Sequence, residues 1–342
     1  MSARKKIRVL VVDDSIVFRE TLARAIAQDP SIEVVATAAD PYMARDKILE
    51  LEPDVMTLDV EMPRMNGIEF LKRLMPQYPI PVIMVSAVSE TVFDALNAGA
   101  VDFVTKPDVS SGRSQDSLVS ELIVKIKVAS MAKVRPLAGN AGSRPSVPSG
   151  QGAVKRNLII TIGASTGGTE AIDTVLKGFS ANMPGTVIVQ HMPPVFTAMY
   201  ANRLNHTCAV QVKEARTGDL ILPGRVLIAP GDHHMRIKRL NNDYMVECFR
   251  GDKVNGHCPS VDVLFNSVAN IVGRNAIGVI LTGMGNDGAN GLLALRKAGA
   301  RTIGQDERSS IVYGMPKAAL EIGAVQEQVP LTMIARKIYS LM

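Results

Sequence analysis

Short apolar segments alternate with amphipathic segments along the first part of the chain. Runs of apolar residues predict buried strands at Ile7–Val12, Glu33–Thr37, Val55–Leu58, Ile80–Val85 and Val101–Val104. Apolar residues at helical spacing predict helices near residues 16–28, 41–51, 67–75, 89–98 and 114–131. This alternation is typical of a parallel sheet that is covered by helices on both faces.

The same alternation resumes at Asn157. Strands are predicted at residues 157–162, 186–190, 225–229, 276–281 and 301–304, and helices at 168–178, 194–205, 260–272, 288–298 and 314–322. Two β-rich stretches at 233–240 and 243–250 predict a hairpin. The fold class is therefore α/β, with two doubly wound parallel-sheet domains. We expect the first to be flavodoxin-like and the second to be a Rossmann-like three-layer domain.

A segment of different composition separates the two patterns. Residues 135–156, RPLAGNAGSRPSVPSGQGAVKR, are rich in Pro, Gly and Ser, which is typical of a flexible linker. We expect a first domain over 1–130, a linker over 131–156 and a second domain over 157–342. The linker carries five basic residues and no acidic residue, but it has no aromatic residue. A solvated linker is therefore favoured over a nucleic-acid site.

Composition narrows the class of protein further. The 342 residues are 46% hydrophobic, enough for two cores. The chain has no apolar run of bilayer length, and its N-terminus lacks the apolar region of a signal peptide, so we expect a cytoplasmic protein without membrane insertion. Its three cysteines show no paired or metal-type spacing, which favours reduced thiols.

Polar side chains follow four predicted strands of the first domain, at the point where each strand ends. They are Asp13 with Asp14, Asp59, Ser86 and Lys106. Because the carboxyl ends of parallel strands meet at one edge of a sheet, we expect these side chains to converge. Clustered carboxylates suit Mg²⁺, and a lysine beside the metal would help to neutralise an incoming phosphoryl group. One carboxylate can then act as the nucleophile.

The motifs around these residues resemble the receiver domains of response regulators. The matching segments are "VVDDS", "DVEMPRMNG", "SA" after the fourth strand and "KP" after the fifth. The resemblance implies that Asp59 is the phosphoacceptor and that a histidine kinase supplies the phosphate. It further implies a Mg²⁺ site made by Asp13, Asp14, Asp59 and the Glu61 carbonyl, phosphoryl contacts from Ser86 and Lys106, and an aromatic switch at Phe103. The position of Phe103 also fits an ordinary core residue.

A glycine-rich turn opens the second domain. Residues 161–171, TIGASTGGTEA, place Ser165 in a G-x-S-x-G pattern between a predicted strand and a predicted helix. Such a turn exposes the hydroxyl group and brings backbone N–H groups to a helix N-terminus, where they can stabilise an oxyanion. The pattern alone leaves three interpretations open for Ser165: a nucleophile, a phosphate contact or a helix cap.

A serine nucleophile needs a base and an acid that orients the base. His191 ends the next strand and so lies on the same rim, which makes it the best base among the five histidines. Asp287, in "LTGMGNDG", follows another strand on that rim. The chain order Ser, His, Asp differs from that of ordinary α/β-hydrolases, but a triad is defined by geometry rather than by order.

A dinucleotide site is the competing interpretation. Gly283, Gly285 and Gly288 form a literal G-x-G-x-x-G between a strand and a helix, and Asp306 follows at about the offset of a ribose-binding acid. The motif comes late in the domain, however, whereas this fingerprint usually opens the fold. This interpretation also leaves Ser165 and His191 without a role.

The second domain resembles the catalytic domain of the chemotaxis protein-glutamate methylesterases. The matching segments are "IGASTGG", "VIVQHMP", "IAPGDHH", "CPSVDVLF", "LTGMGNDGA" and "SSIVYGMPKAA". The resemblance implies a triad of Ser165, His191 and Asp287, with an oxyanion donor at the Met284 N–H assisted by Thr166. It implies hydrolysis of glutamate γ-methyl esters on chemoreceptors and deamidation of receptor glutamines, both without a cofactor, by an enzyme activated by phosphorylation. We expect a monomer.

The sequence gives less support to two further classes of function. A DNA-binding regulator needs a helix-turn-helix or a basic recognition helix, and the second half of the chain has the pattern of a full α/β domain instead. A domain that only binds receptors would not need a complete set of triad positions.

Overall fold

The computed structural model describes residues 5–87, 89–107, 114–134 and 157–342. The chain divides into two compact units between Ala141 and Gly142, and each unit is described by itself. Of the expected linker over 131–156, all but the first four residues lie outside the described ranges.

The first unit is a five-stranded parallel sheet. Its strands are β1 (Ile7–Val12), β2 (Ile32–Ala38), β3 (Val55–Asp59), β4 (Val82–Ser86) and β5 (Asp102–Thr105), in the order β2-β1-β3-β4-β5. Its helices are α1 (Ile16–Ile26), α2 (Pro41–Leu51), α3 (Gly67–Leu74), α4 (Thr91–Asn97) and α5 (Gln115–Ala129). Helix α1 packs against α5, and α3 packs against α2 and α4. This is the predicted flavodoxin-like order.

The second unit is a seven-stranded parallel sheet with a separate hairpin. The sheet consists of β6 (Ile159–Ala164), β7 (Gly185–Gln190), β8 (Gln211–Glu214), β9 (Arg225–Ile228), β12 (Ala276–Ile280), β13 (Arg301–Gln305) and β14 (Glu327–Val329). Their order is β14-β13-β12-β6-β7-β9-β8, and the hairpin pairs β10 (His234–Leu240) with β11 (Asp243–Phe249). The α/β class and both doubly wound sheets are confirmed.

Helices α6 (Gly168–Lys177), α7 (Phe196–Thr207), α8 (Val261–Ile271), α9 (Ala289–Lys297) and α10 (Met315–Glu321) agree with the prediction to within a few residues. Four elements had no predicted counterpart: strands β8 and β14, a short 3₁₀ helix at Gly273–Asn275, and the final helix α11 (Leu331–Ser340), which packs on α6. No helix among the described residues is both long and apolar enough to span a bilayer.

The topology fixes where each functional side chain lies. In the first sheet the strand order reverses between β1 and β3, and in the second it reverses between β6 and β12. Ligands of open α/β sheets bind beyond the carboxyl ends of the strands at such a switch point. Asp13 and Asp59 lie at the first switch point, and Ser165 and Asp287 follow the two strands of the second.

Candidate phosphoacceptor site and candidate active site

Three carboxylates converge at the switch point of the first unit. Oxygen atoms of Asp13, Asp14 and Asp59 all lie within 4.8 Å of one another, with Asp13 and Asp59 buried and Asp14 exposed. Glu61 turns its backbone N–H toward the Asp59 carboxylate at 3.3 Å. A cluster of hard oxygen ligands with one side open to solvent fits Mg²⁺, which keeps several of its own waters.

Lys106 is the counter-charge of this cluster. Its ammonium lies 2.6 Å from Asp59 Oδ2 and 2.8 Å from Asp13 Oδ2, and it also sits 4.7 Å above the ring of Phe18. Burial raises the pKa of Asp59 and the charge of Asp13 adds to the rise, whereas Lys106 opposes it. Burial acts to lower the pKa of Lys106, but its hydrogen bonds to the two carboxylates raise it on balance. One ammonium therefore pairs with two of the three carboxylates, and the cluster keeps an excess of negative charge.

The remaining residues predicted for the first site lie in the same half of the sheet. Ser86 is buried at the end of β4, which pairs with β5 and so lies beside Lys106. Phe103 is buried in β5, and the ammonium of Lys125 lies 5.1 Å from its ring. Phe103 is thus part of the core in this conformation. Its expected role as a switch stays a prediction.

Ser165 lies in the turn between β6 and α6. Its backbone N–H donates to Thr282 O at 3.0 Å, and its carbonyl accepts the Gly168 N–H at 2.7 Å. The helix N-cap is Gly167, at a φ of 75° and with no side-chain cap. Ser165 is therefore not the helix cap, because glycine occupies that position in a left-handed conformation that it adopts at little cost. The hydroxyl of Ser165 is not needed to start the helix.

His191 and Asp287 form a hydrogen-bonded pair on the same rim. His191 Nε2 lies 2.8 Å from Asp287 Oδ2, and the two side chains are only 8% and 1% exposed. Burial acts to raise the pKa of Asp287, but hydrogen bonds from His191 and Asn255 hold it well below its usual range. An ionised carboxylate can only accept, so Nε2 carries the proton of the neutral ring. His191 Nδ1 then bears the lone pair, and this buried atom has no hydrogen-bond partner within the described ranges.

The start of α8 and the loop before it surround Asp287. The carboxylate accepts the Ser260 hydroxyl at 2.8 Å and the Val261 N–H at 2.7 Å. The Asn255 amide donates at 2.8 Å to Asp287 Oδ1 and at 2.8 Å to Asp262 Oδ2. Sequence reasoning missed these donors. The available signals were the Asn-Gly pair at 255–256, which marks a turn, and a serine directly before an apolar helix, which marks a cap.

Gln190 is a second missed residue. Its side-chain amide donates to the carbonyl of Ser165 at 2.9 Å and to the carbonyl of His191 at 3.2 Å. One buried side chain thus joins the backbone segments of both residues. A Cβ at Gly168 would lie 2.1 Å from Gln190 Oε1, so glycine there makes room for the amide. Its position before His191 in the sequence gives no sign of these contacts.

The turn after β12 brings Gly283, the residue before Met284, close to Ser165. A Cβ at Gly283 would lie 2.7 Å from Ser165 Cβ and 2.4 Å from Met315 Sδ, so Gly283 permits a close approach of the two turns. Thr166 is buried, and its carbonyl accepts the Thr282 hydroxyl at 3.0 Å. The predicted oxyanion residues therefore border the turn of Ser165, although their donor role stays a prediction.

Two of the three glycines of the G-x-G-x-x-G motif serve packing, whereas Gly285 has a φ of 85° and open space where a Cβ would lie. Besides Gly283, Gly288 caps α9 at a φ of 88°, where a Cβ would lie 2.5 Å from Val261. Asp306, the residue expected to bind a ribose, accepts hydrogen bonds from the N–H and hydroxyl of Ser309. These contacts give three of these four residues a role within the fold.

The two sites define a two-unit α/β protein, with a carboxylate–lysine cluster on one sheet and a serine, histidine and aspartate on the rim of the other. Family models match both units: "Response regulator receiver domain" over residues 9–112 and "CheB methylesterase" over residues 160–338.

Comparison with individual proteins agrees with both matches. The chain is 62% identical over 98% of its length to a protein named protein-glutamate methylesterase/protein-glutamine glutaminase 2 from Syntrophomonas wolfei, and 98% of that relative is covered. It is 54% identical over 99% of its length to a protein named protein-glutamate methylesterase/protein-glutamine glutaminase from Syntrophotalea carbinolica, 98% of which is covered. A solved structure, the CheB methylesterase catalytic domain of Thermotoga maritima, is 39% identical with a TM-score of 0.53, covering 54% of this chain and 98% of that one. The chain belongs to the CheB methylesterase family of enzymes and carries a receiver domain.

Proposed function

We propose that this enzyme hydrolyses glutamate γ-methyl esters on chemoreceptors and deamidates receptor glutamines, with Ser165, His191 and Asp287 as the catalytic residues. The names of its relatives, protein-glutamate methylesterase/protein-glutamine glutaminase, support the two reactions. One observation carries the assignment of the residues: His191 is bonded through Nε2 to an ionised Asp287, and its basic Nδ1 has no partner in the described part of the chain. A base in that state is ready to accept a proton from a serine on the same rim.

The first half of the reaction forms an acyl-enzyme. His191 Nδ1 takes the proton of the Ser165 hydroxyl as the oxygen attacks the γ-carbonyl carbon of the substrate. The N–H of Met284, assisted by Thr166, stabilises the oxyanion of the tetrahedral intermediate. The bond from carbon to methoxy oxygen then breaks, and methanol leaves with the proton from His191. Asp287 holds the tautomer and stabilises the imidazolium during this exchange.

The second half returns the enzyme to its starting state. Water attacks the acyl carbon, His191 takes one proton from it, and that proton goes to the departing Ser165 oxygen. The product is a glutamate side chain. A glutamine side chain follows the same path with ammonia as the first leaving group, so one site serves both substrates and the chemistry uses no cofactor.

We further propose that phosphorylation of Asp59 activates the enzyme. Asp13, Asp14, Asp59 and the Glu61 carbonyl would hold Mg²⁺, which when bound neutralises phosphoryl oxygens. Ser86 and Lys106 would contact the same oxygens, and a histidine kinase would be the donor. The proposal also assigns the domains: the receiver covers 1–130, the linker 131–156 and the catalytic domain 157–342. The protein would act as a cytoplasmic monomer. Activation would then be a shift in population from a less active to a more active state of the chain.

The test is methanol release from methylated receptor cytoplasmic fragments. We expect release by the full chain to rise with Mg²⁺ and a small-molecule phosphodonor. Ser165→Ala should lower the rate by about 10⁴-fold, because the members of a triad act as one unit. Ser340→Ala, an exposed serine on α11, is the matched control and should retain the parental rate. Parental release by Ser165→Ala would refute the catalytic assignment.

A further inference from the structure

A tight turn before α8 presents two side chains to the candidate active site. Val254 and His257 exchange backbone hydrogen bonds of 3.0 Å in both directions. Between them, Asn255 has a φ of 52° and Gly256 a φ of 82°. Positive φ at both central residues defines a type I′ turn, which favours the pair Asn-Gly. The sequence "VNGH" therefore fixes the positions from which Asn255 and His257 project.

Both side chains meet the His191–Asp287 pair. The Asn255 amide donates to the Asp287 carboxylate, as described above. The ring of His257 stacks on the ring of His191, with centroids 3.7 Å apart and planes inclined by 10°. The same turn thus contacts the acid through a hydrogen bond and the base through a ring face. A ring held on one face loses freedom to rotate out of the plane in which Nε2 meets Asp287.

The charge state of His257 suits this position. The ionisable groups that act on it are His191 on the facing ring, Asp287 at the Nε2 edge of that ring, and Lys253 on its own loop. Burial lowers the pKa of His257 to about 4, and the neighbouring His191 adds to the shift. His257 is therefore uncharged at neutral pH. An uncharged ring can lie against His191 while that ring becomes an imidazolium, whereas a second cation would repel it.

We propose that His257 is a positioning residue for the base: its neutral ring, stacked on His191, holds the base in the plane in which its Nε2 meets Asp287 and keeps water from that face. The proposal rests on the proposed function, because it takes His191 as the base. His257 acts through His191, so its effect should fall on kcat rather than on KM.

Three substitutions separate the stack from the charge. His257→Phe keeps a flat uncharged ring, His257→Ala removes the ring, and His257→Arg supplies a planar cation. In methanol release by the full chain we expect kcat within about threefold of the parent for Phe and about 10–100-fold lower for Ala, since small misplacements of a catalytic group cost up to about 10²-fold. The kcat of His257→Arg should be about tenfold lower still, because its cation repels the imidazolium. His206→Ala, an exposed histidine on α7, should match the parent.

A second measurement does not depend on activity. In ¹⁵N-histidine-labelled full chain, the His191 signals, assigned by their loss in His191→Gln, should show one tautomer with the proton on Nε2. His257→Ala should give a mixture of tautomers and His257→Phe a single one. A single tautomer in His257→Ala, or kcat values for Ala and Arg within threefold of the parent, would overturn the proposal.

An equal loss in His257→Phe, His257→Ala and His257→Arg would also overturn it, because a flat uncharged ring would then not preserve kcat as the proposal requires. The two proposals can fail separately. Parental release by Ser165→Ala refutes the catalytic assignment, and the tautomer measurement still decides whether His257 positions His191.

Discussion

Replacing Asp14 by Asn should make the receiver unit more stable in the absence of Mg²⁺ and much less responsive to Mg²⁺. Asp14 is the exposed member of the carboxylate cluster, whereas Lys106 is bonded to the other two members, Asp13 and Asp59. The substitution removes one negative charge from the cluster and leaves both ion pairs of Lys106 in place. The unfolded chain separates these charges, so the repulsion that is removed belongs to the folded state.

The magnitude follows from the geometry. Two unit charges 4.8 Å apart repel by about 3.5 kcal/mol at an effective dielectric constant of about 20. Asp14 faces two such carboxylates, and the ammonium of Lys106 offsets roughly one of them. Water around the exposed side chain screens the remaining repulsion to about 1 kcal/mol. For a unit of this size that corresponds to a rise in melting temperature of roughly 3–5 °C.

Calorimetry of the full chain in EDTA and in increasing Mg²⁺ checks both parts. The receiver transition is the one that moves upward with Mg²⁺ in the parent, because a ligand that binds only the folded state stabilises it. Asp14→Asn should raise this transition in EDTA and remove most of the response to Mg²⁺. Asp46→Asn breaks only an exposed pair with Arg45 and should change neither quantity by much. A lower transition in EDTA, or a full Mg²⁺ response in Asp14→Asn, would refute the reasoning.

Two further predictions concern regulation and pH. Removal of residues 1–150 should raise basal methanol release if the unphosphorylated receiver restrains the catalytic unit, and an unchanged or lower rate from a folded fragment would argue against restraint. The stability of the catalytic unit should fall as the pH drops from about 6.5 to about 4, because unfolded His257 takes up a proton near its ordinary pKa of 6.5 and folded His257 only near 4. Allowing for the partly exposed ring, the loss is about 1–2 kcal/mol, and urea unfolding of His257→Phe at both pH values should lack this loss.

Most of the fold could be predicted because its central strands are buried on both faces. Strands such as β4 and β6 are continuous apolar runs bounded by polar or glycine-rich turns, which mark them clearly. The missed strands β8 (QVKE) and β14 (EQV) are short and polar, and each lies at an outer edge of the seven-stranded sheet. An edge strand is specified by its neighbour more than by its own apolar pattern, so single-sequence reasoning has little to detect there.

The residues of the candidate sites also divide into those that the sequence predicts and those that it does not. The residues at strand ends were found because the topology of a parallel sheet brings all such ends to one rim. Asn255 and His257 could not be found so, since they reach the site from a loop that precedes a helix, and their partners lie 32 and 66 residues away in the sequence. Gln190 was missed because its side chain binds backbone carbonyls of Ser165 and His191 and belongs to no chemical motif. Contacts of this kind depend on how the loops pack, and a local sequence pattern does not predict that packing.

The two rims show how one architecture gives an aspartate two different environments. Asp59 shares one ammonium with Asp13 and its pKa is raised mainly by burial, so its carboxylate is poorly neutralised and suited to accept a cation and a phosphoryl group. Asp287 is equally buried, but it accepts hydrogen bonds from His191, Asn255, Ser260 and two backbone N–H groups, which lower its pKa. A carboxylate satisfied in this way gains little from taking a proton or a bond, and it can serve as a fixed acceptor for His191. The number of donors around each carboxylate, rather than its depth in the protein, therefore separates a proposed nucleophile from an orienting acid.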